Sequence, residues 1–184
     1  MKDISLHVMD IVQNSIAAGA KNIGILLAID EMGNRMTLRI TDDGKGMDAE
    51  LVQRVISPFT TSRTTRKVGL GIPLFMESAQ RTGGDFHIRS EVGVGTEVTA
   101  TYVLNHIDRP PLGDMAGTVY MLIVTNVNLD FSYTVENGDR AYTLDTKEVK
   151  QVLDGVPLTD PDVGVWLKES LLEGDKETRG GVME

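Results

Sequence analysis

Asp10 and Asn14 lie four residues apart in a stretch whose apolar residues, Ile4, Val8, Ile11, Val12 and Ile16, recur at helical spacing. One helical turn aims the carboxylate and the amide at the same point in space. An amide oxygen there can complete the shell of a Mg²⁺ already held by phosphates, and a carboxylate can orient or deprotonate a nucleophile. Taken alone, Asp3, His7, Asp10 and Asn14 form a narrow polar stripe, the ordinary solvated face of an amphipathic helix.

Three further segments have the residue types for chemistry. Asp42-Asp43-Gly44-Lys45-Gly46-Met47 follows a strand-like run. An acid at a strand end followed by Gly-x-Gly offers a buried acceptor beside a backbone free of side chains, which suits a flat heterocycle with an amino donor. The same cluster by itself is also what an ordinary turn looks like. Ser57 to Lys67 has neither helical nor strand period and reads as a long mobile loop. Its Arg63, Arg66 and Lys67 lead into Gly69-Leu70-Gly71 at a helix start, where backbone N–H groups and flexible cations make a phosphate cradle able to close as a lid. A solvated basic loop is the simpler alternative. Gly93-Val94-Gly95-Thr96 reads as a hairpin turn whose hydroxyl matters only beside a ligand. Neither the Rossmann glycine fingerprint nor the Gly-x-x-x-x-Gly-Lys-Ser/Thr loop is present.

These segments need a scaffold, and the periodicity supplies one. A helix is expected over roughly 3–18, ended by Gly19, then strands Asn22 to Ile29 and Met36 to Thr41 joined by Met32-Gly33-Asn34. A short helix begins near Asp48, a ten-residue helix follows Gly69-Leu70-Gly71 and stops at Gly83-Gly84, and strands Phe86 to Arg89 and Glu97 to Val103 complete an α+β unit. Beyond Pro110-Pro111, strands are expected at Thr118 to Thr125 and Leu129 to Val135, with Asn137-Gly138 turning into Ala141 to Leu144. Thr146 and Asp160-Pro161 start helices to about Leu153 and Glu173. The resulting organisation is 1–108 as one domain, 109–117 as a linker, 118–173 as a small acidic β-β-β-α-α extension, and 174–184 as a disordered tail.

Composition narrows the function classes. Of 184 residues, 41% are hydrophobic and 24% charged, an ordinary folded composition. There is no cysteine, which excludes disulfides and thiol chemistry, and His7, His87 and His106 match no metal-ligand spacing. Apolar runs such as Ile23 to Ile29 are too short for a membrane span of ~20 residues, and with no leader pattern a cytoplasmic location is expected. The net charge of -9 argues against nucleic acid as a partner. Residues 1–109 hold 12 basic and 13 acidic residues, leaving 6 and 14 for 110–184, so the acidic excess is carried by the second part.

Taken in order, the Asp-x-x-x-Asn helix, DDGKGM after a strand, the PFTTS loop, Gly-Leu-Gly opening a helix and GVGT before a last strand resemble the GHKL superfamily. That superfamily comprises the ATP-binding domains of type II topoisomerases, ninety-kilodalton heat-shock chaperones, sensor histidine kinases and mismatch-repair proteins. The resemblance covers about residues 1–105. It implies a Bergerat-type fold: an α+β two-layer sandwich, a mixed, mostly antiparallel sheet covered on one face by helices, with ATP on the helical side. By the same resemblance Asn14 is the Mg²⁺ ligand and Asp10 stands where several branches place a general-base Glu. Asp42 accepts the adenine amino group, Gly44 and Gly46 allow close approach, and Met47 borders the base. Phe59 belongs to the box formed with Pro58, Gly69, Leu70 and Gly71 to the second glycine box, and Thr96 closes the base pocket. Two departures stand out. The acid at position 10 is Asp, one methylene shorter than Glu, and Lys67-Val68 replaces the Gly-Thr that opens the second box in many sensor kinases, which puts a Lys within possible reach of the phosphates.

The resemblance implies ATP and Mg²⁺ as cofactors and leaves three functions open. With the Asp-x-x-x-Asn motif ten residues from Met1, no phosphoacceptor hairpin is expected ahead of it, and His7 is expected to be structural or solvent-facing. The organisation resembles the anti-sigma-factor kinases, which phosphorylate a Ser on a partner, so a regulatory protein kinase acting on a separate protein is the leading expectation. The alternatives are a slow ATPase whose turnover gates partner binding, and a non-catalytic nucleotide-dependent interaction module. The 110–184 part is either a partner or homodimer surface, with Val119 to Val124 and Trp166, Leu167, Leu171 and Leu172 as apolar candidates, or an extension packing its own small core.

Overall fold

A computed structural model describes residues 3–57 and 70–182. The elements in order are α1 (Ile4–Ala17), β1 (Asn22–Asp30), β2 (Arg35–Asp42), α2 (Ala49–Ile56), α3 (Gly71–Gln80), β3 (Phe86–Glu91), β4 (Gly95–Val103), α4 (Met115–Thr125), β5 (Asp130–Asn137), β6 (Arg140–Asp145), α5 (Thr146–Leu153) and α6 (Pro161–Arg179). The strands make one six-stranded sheet in the order β3-β4-β2-β1-β5-β6, antiparallel at every step except the parallel β1–β5 pair. Alternate residues, Ile23, Ile25, Leu27 and Ile29 on β1 with Met36, Leu38 and Ile40 on β2, are buried beneath the helices. This is the two-layer α+β sandwich that the motifs implied. Among the described residues no helix is long and apolar enough to cross a membrane.

Register does the positioning. Because Ile40 pairs with Ile25 and with Val98, the same helix-facing row one step along brings together Ser90 of β3, Thr96 of β4, Asp42 of β2 and Ile23 of β1. A polar edge is thus set beside a hydrophobic layer by strand pairing alone, since side chains directly opposite share a face.

The N-cap of α1 is Asp3, whose carboxylate accepts from the Leu6 N–H, and Ile4, Val8, Ile11 and Val12 lie in the core. The helix does not keep the solvated stripe that its sequence suggests. His7 is only 2% exposed and stacks on Phe75 of α3, ring centroids 5.0 Å apart, while Asp10 and Asn14 stay exposed. Of the two roles expected for His7, the structural one is what the packing gives.

The second part of the chain differs most from expectation. Thr118 to Thr125 is not a strand: it belongs to α4, which starts at Asp114 with its carboxylate accepting from the Gly117 N–H. Val119, Leu122 and Ile123 are buried where α4 lies against α1 and α6, so an apolar run reads as helix because it is covered on more than one side. The 109–117 segment is tied down, with the Pro111 and Leu112 carbonyls accepting from the Ile4 and Ser5 N–H groups and Leu112 buried. Nor is the end a disordered tail. α6 continues six residues past Glu173 to Arg179, with Asp175 and Thr178 buried. Tyr133 donates to Asp175 Oδ1 at 2.7 Å and Arg179 Nε to Asp175 Oδ2 at 2.9 Å, which fastens this last stretch to β5. The cap of α5 is Asp145 rather than Thr146, whose hydroxyl instead accepts from the Phe131 N–H. Through the β1–β5 pairing, both parts of the chain contribute to one hydrophobic core.

Candidate functional site

Asp42 ends β2 with both carboxylate oxygens engaged. Ser15 Oγ donates to Oδ2 at 2.5 Å and the Gly44 N–H donates to Oδ1 at 2.9 Å. The adjacent Asp43 turns the other way and accepts from the Asn22 N–H, the Asn22 amide and the Lys21 N–H, bonds that hold its carboxyl below the usual range. Two neighbouring acids therefore have separate jobs: Asp43 pins the start of β1, and Asp42 faces the helical layer. The loop between them and Met47 is anchored to α1 by the Lys45 N–H donating to the Ala18 carbonyl at 2.9 Å.

On the other side, Ser90 is a small hub. Its hydroxyl accepts from the Met47 N–H at 2.8 Å, donates to the Gly95 carbonyl at 3.0 Å and lies 2.8 Å from the Thr96 hydroxyl. Gly46 has φ +68, and a Cβ there would collide with the Glu91 carbonyl. Its glycine is accordingly required by the loop's seat against the β3–β4 hairpin, on top of the close ligand approach expected from sequence.

Between these anchors is a cavity of about 300 Å³. Asn14, Ser15, Asp42, Lys45 and Thr96 supply its polar atoms, and Ile11, Met47, Leu51, Val55, Ile72 and Val98 its apolar wall. A mostly apolar slot with one fixed carboxylate suits a flat, partly hydrophobic group that can donate a hydrogen bond. Asn14 lines the cavity, and its amide has no hydrogen-bond partner among the described residues. Asp10, one turn earlier, lies against the first residue of α3: a Cβ on Gly71 would come within 3.2 Å of Asp10 Oδ2. Glycine at 71 thus lets the N-terminus of α3 approach the carboxylate. Leu70 precedes it and is exposed. Phe59, Lys67 and Gly69 lie outside the described residues.

The structure therefore brings Asn14, Asp42, Gly46, Met47 and Thr96 to one cavity, with Asp10 and Gly71 beside it. Sequence reasoning missed Ser15 and Ser90. Ser15 carried a faint signal, since it directly follows Asn14 and is a polar residue on the buried side of α1, while Ser90 carried none apart from its register opposite Thr96.

A family model described as histidine kinase-, DNA gyrase B-, and HSP90-like ATPase matches residues 2–106. The chain belongs to that family. This GHKL ATP-binding domain is similar to Sporulation kinase D of Bacillus subtilis, 27% identical over 94 residues that make up 51% of this chain and 18% of the kinase. A putative sensor protein of Shewanella frigidimarina is 30% identical over 102 residues, 54% of this chain and 16% of that protein. The chain thus spans less than a fifth of the length of these two relatives. Among solved structures, the Aquifex aeolicus MutL ATPase domain complexed with ADP matches with a TM-score of 0.53 and 17% identity, over 84% of this chain and 70% of that one. The N-terminal domain of a DNA repair protein matches with a TM-score of 0.56 and 13% identity, over 95% of this chain and 57% of that one. At such identities the likeness is one of fold, and it reaches past residue 106 into the second part of the GHKL chain.

Proposed function

We propose that this GHKL domain binds Mg-ATP in the cavity between α1 and the sheet and passes the γ-phosphoryl group to a hydroxyl on a separate protein. The observation that carries the reading is Asp42, an acceptor fixed by Ser15 and Gly44 inside a mostly apolar slot. The adenine amino group donates to Asp42, while Met47 and Thr96 border the base. Asn14, which lines the same cavity, would hold the Mg²⁺. No group of three or more His, Cys, Asp or Glu among the described residues could hold a metal, which fits an ion bound chiefly through the phosphates. When bound, the ion neutralises charge on the phosphates.

In this reading Asp10 orients the attacking hydroxyl and takes its proton. The hydroxyl oxygen forms a bond to the γ-phosphorus, the bond from that phosphorus to the β–γ bridging oxygen breaks, and ADP leaves. Such transfer depends on positioning and electrostatics more than on a strong base, so a carboxylate one methylene shorter than Glu suits it. Water activation depends more on that reach, since a displacement of ~1 Å can cost on the order of 100-fold in rate. Similarity to kinases such as Sporulation kinase D supports the same direction.

Incubation with Mg²⁺ and γ-labelled ATP, with and without a cell extract, tests the reading. Label transferred to another protein, and lost in Asp10→Asn, is the expected result. Free phosphate in place of labelled protein would make the domain a hydrolase, and neither product would make it a binding module. Nucleotide-induced thermal stabilisation that survives Asp42→Asn would sink the proposed base site itself.

A further inference from the structure

We infer that the outward face of α6 is a self-complementary surface that pairs, antiparallel and about a two-fold axis, with α6 of a second copy of this chain. The inner side of the helix is accounted for: Val163, Leu167, Leu171, Asp175 and Thr178 are buried against the sheet and α4. The outer side is not polar throughout. Val165 is 57% exposed, Leu172 54% and, on the flank next to Ser170, Trp166 49%. Val165 and Leu172 are seven residues apart, so they lie two turns apart on one stripe, about 10 Å along the axis.

The charges around that stripe decide the occupant. Lys168 and Glu169 lie between the two apolar residues, Asp162 near the N-terminal end of α6 and Lys176 near its C-terminal end. All four are exposed, and none is in an ion pair among the described residues. A two-fold axis passing between Lys168 and Glu169 sets Val165 against the partner's Leu172 and Lys168 against the partner's Glu169. It also brings Asp162 to within one residue of lying opposite the partner's Lys176. Every contact then occurs twice, as an isologous interface requires. A parallel pairing would set Lys168 on Lys168 and Glu169 on Glu169, and like charges in register disfavour it. The chain's net charge of -9 repels copies from one another, so association needs local matching of this kind. The inference is independent of what the cavity binds.

Sedimentation of the whole chain over a concentration series tests it, without nucleotide, at low and high salt. A reversible dimer is expected by about 100 μM, weakening as salt rises. Val165→Glu and Glu169→Lys are each expected to raise the dimer Kd at least about tenfold. The double variant Lys168→Glu with Glu169→Lys restores dimerisation, because the axis exchanges the two positions. All the altered residues are solvent-exposed, and circular dichroism checks that the variants are folded. A chain that stays monomeric over the whole range overturns the inference and leaves this face to a different protein. A dimer that neither single substitution weakens, or that the double exchange fails to restore, overturns it as well.

Discussion

Replacing His7 with phenylalanine should flatten the acid side of this protein's stability profile. The imidazole is buried between α1 and α3, stacked on Phe75, and its Nδ1 has no hydrogen-bond partner among the described residues. Burial pulls its pKa down from 6.5 to about 4, against an opposing pull from Asp3. The unfolded chain therefore takes up a proton that the folded chain excludes, so this group's contribution is fully present above pH 6.5 and is lost as pH falls from 6.5 toward 4. At ~1.4 kcal/mol per pH unit the whole loss is about 3 kcal/mol, of which about 2 kcal/mol is gone by pH 5. Urea unfolding of parent and His7→Phe at pH 7.5 and pH 5 measures it. Carboxylates elsewhere affect both proteins alike, so the difference between them isolates the imidazole. The parent should lose about 2 kcal/mol more than the variant. At pH 7.5 the two should be close, since the variant removes an unpartnered nitrogen while adding ring volume. His7→Leu, smaller than phenylalanine, should show the same flattening. Parallel losses in parent and both variants would refute the buried neutral imidazole.

Two further outcomes follow from named contacts. Ser15→Ala removes the donor to Asp42 Oδ2 while leaving the Gly44 bond, and is expected to weaken ATP by about tenfold in calorimetric titration with little change in melting temperature. An unchanged affinity would show that Asp42 needs no second anchor. Asp175→Asn breaks a buried ion pair with Arg179 and should cost about 3 kcal/mol in urea unfolding. Hydrogen exchange should then rise first over the last two turns of α6, and uniform exchange across the chain would argue against a local lock.

The first part of the chain was legible because its signals are local. Helical spacing in Ile4 to Ile16, alternation in β1 and β2, and turn residues at Met32-Gly33-Asn34 each act over a few residues, and the elements formed where they point. Asp48 and Asp160 cap the helices expected after them. The motif order then pointed to the family that residues 2–106 match. The failures lie where a residue's state depends on distant partners. MAGTVYMLIVT is apolar almost throughout, and an apolar run has the same pattern in a strand as in a helix buried on several sides. GDKETR offers no apolar periodicity, yet Tyr133 donates to Asp175 and the Asn137 amide donates to the Arg179 carbonyl, each pair about forty residues apart in sequence. Thr146 lost the cap of α5 to Asp145 because the Phe131 N–H claimed its hydroxyl.

The sequence by itself determined the type and order of most elements and the acids, amide and glycines on offer, since caps, turns and periodicity are short-range effects. Only the tertiary structure decided which of them meet. Strand register set Asp42 beside Thr96 and Ser90, helix packing laid Ser15 on the Asp42 carboxylate, and the approach of α3 buried His7 while leaving Asp10 open. The polar stripe of α1 was split in this way, into a core histidine and a candidate catalytic pair, because burial is a property of what packs against a residue and is not written in its neighbours along the chain.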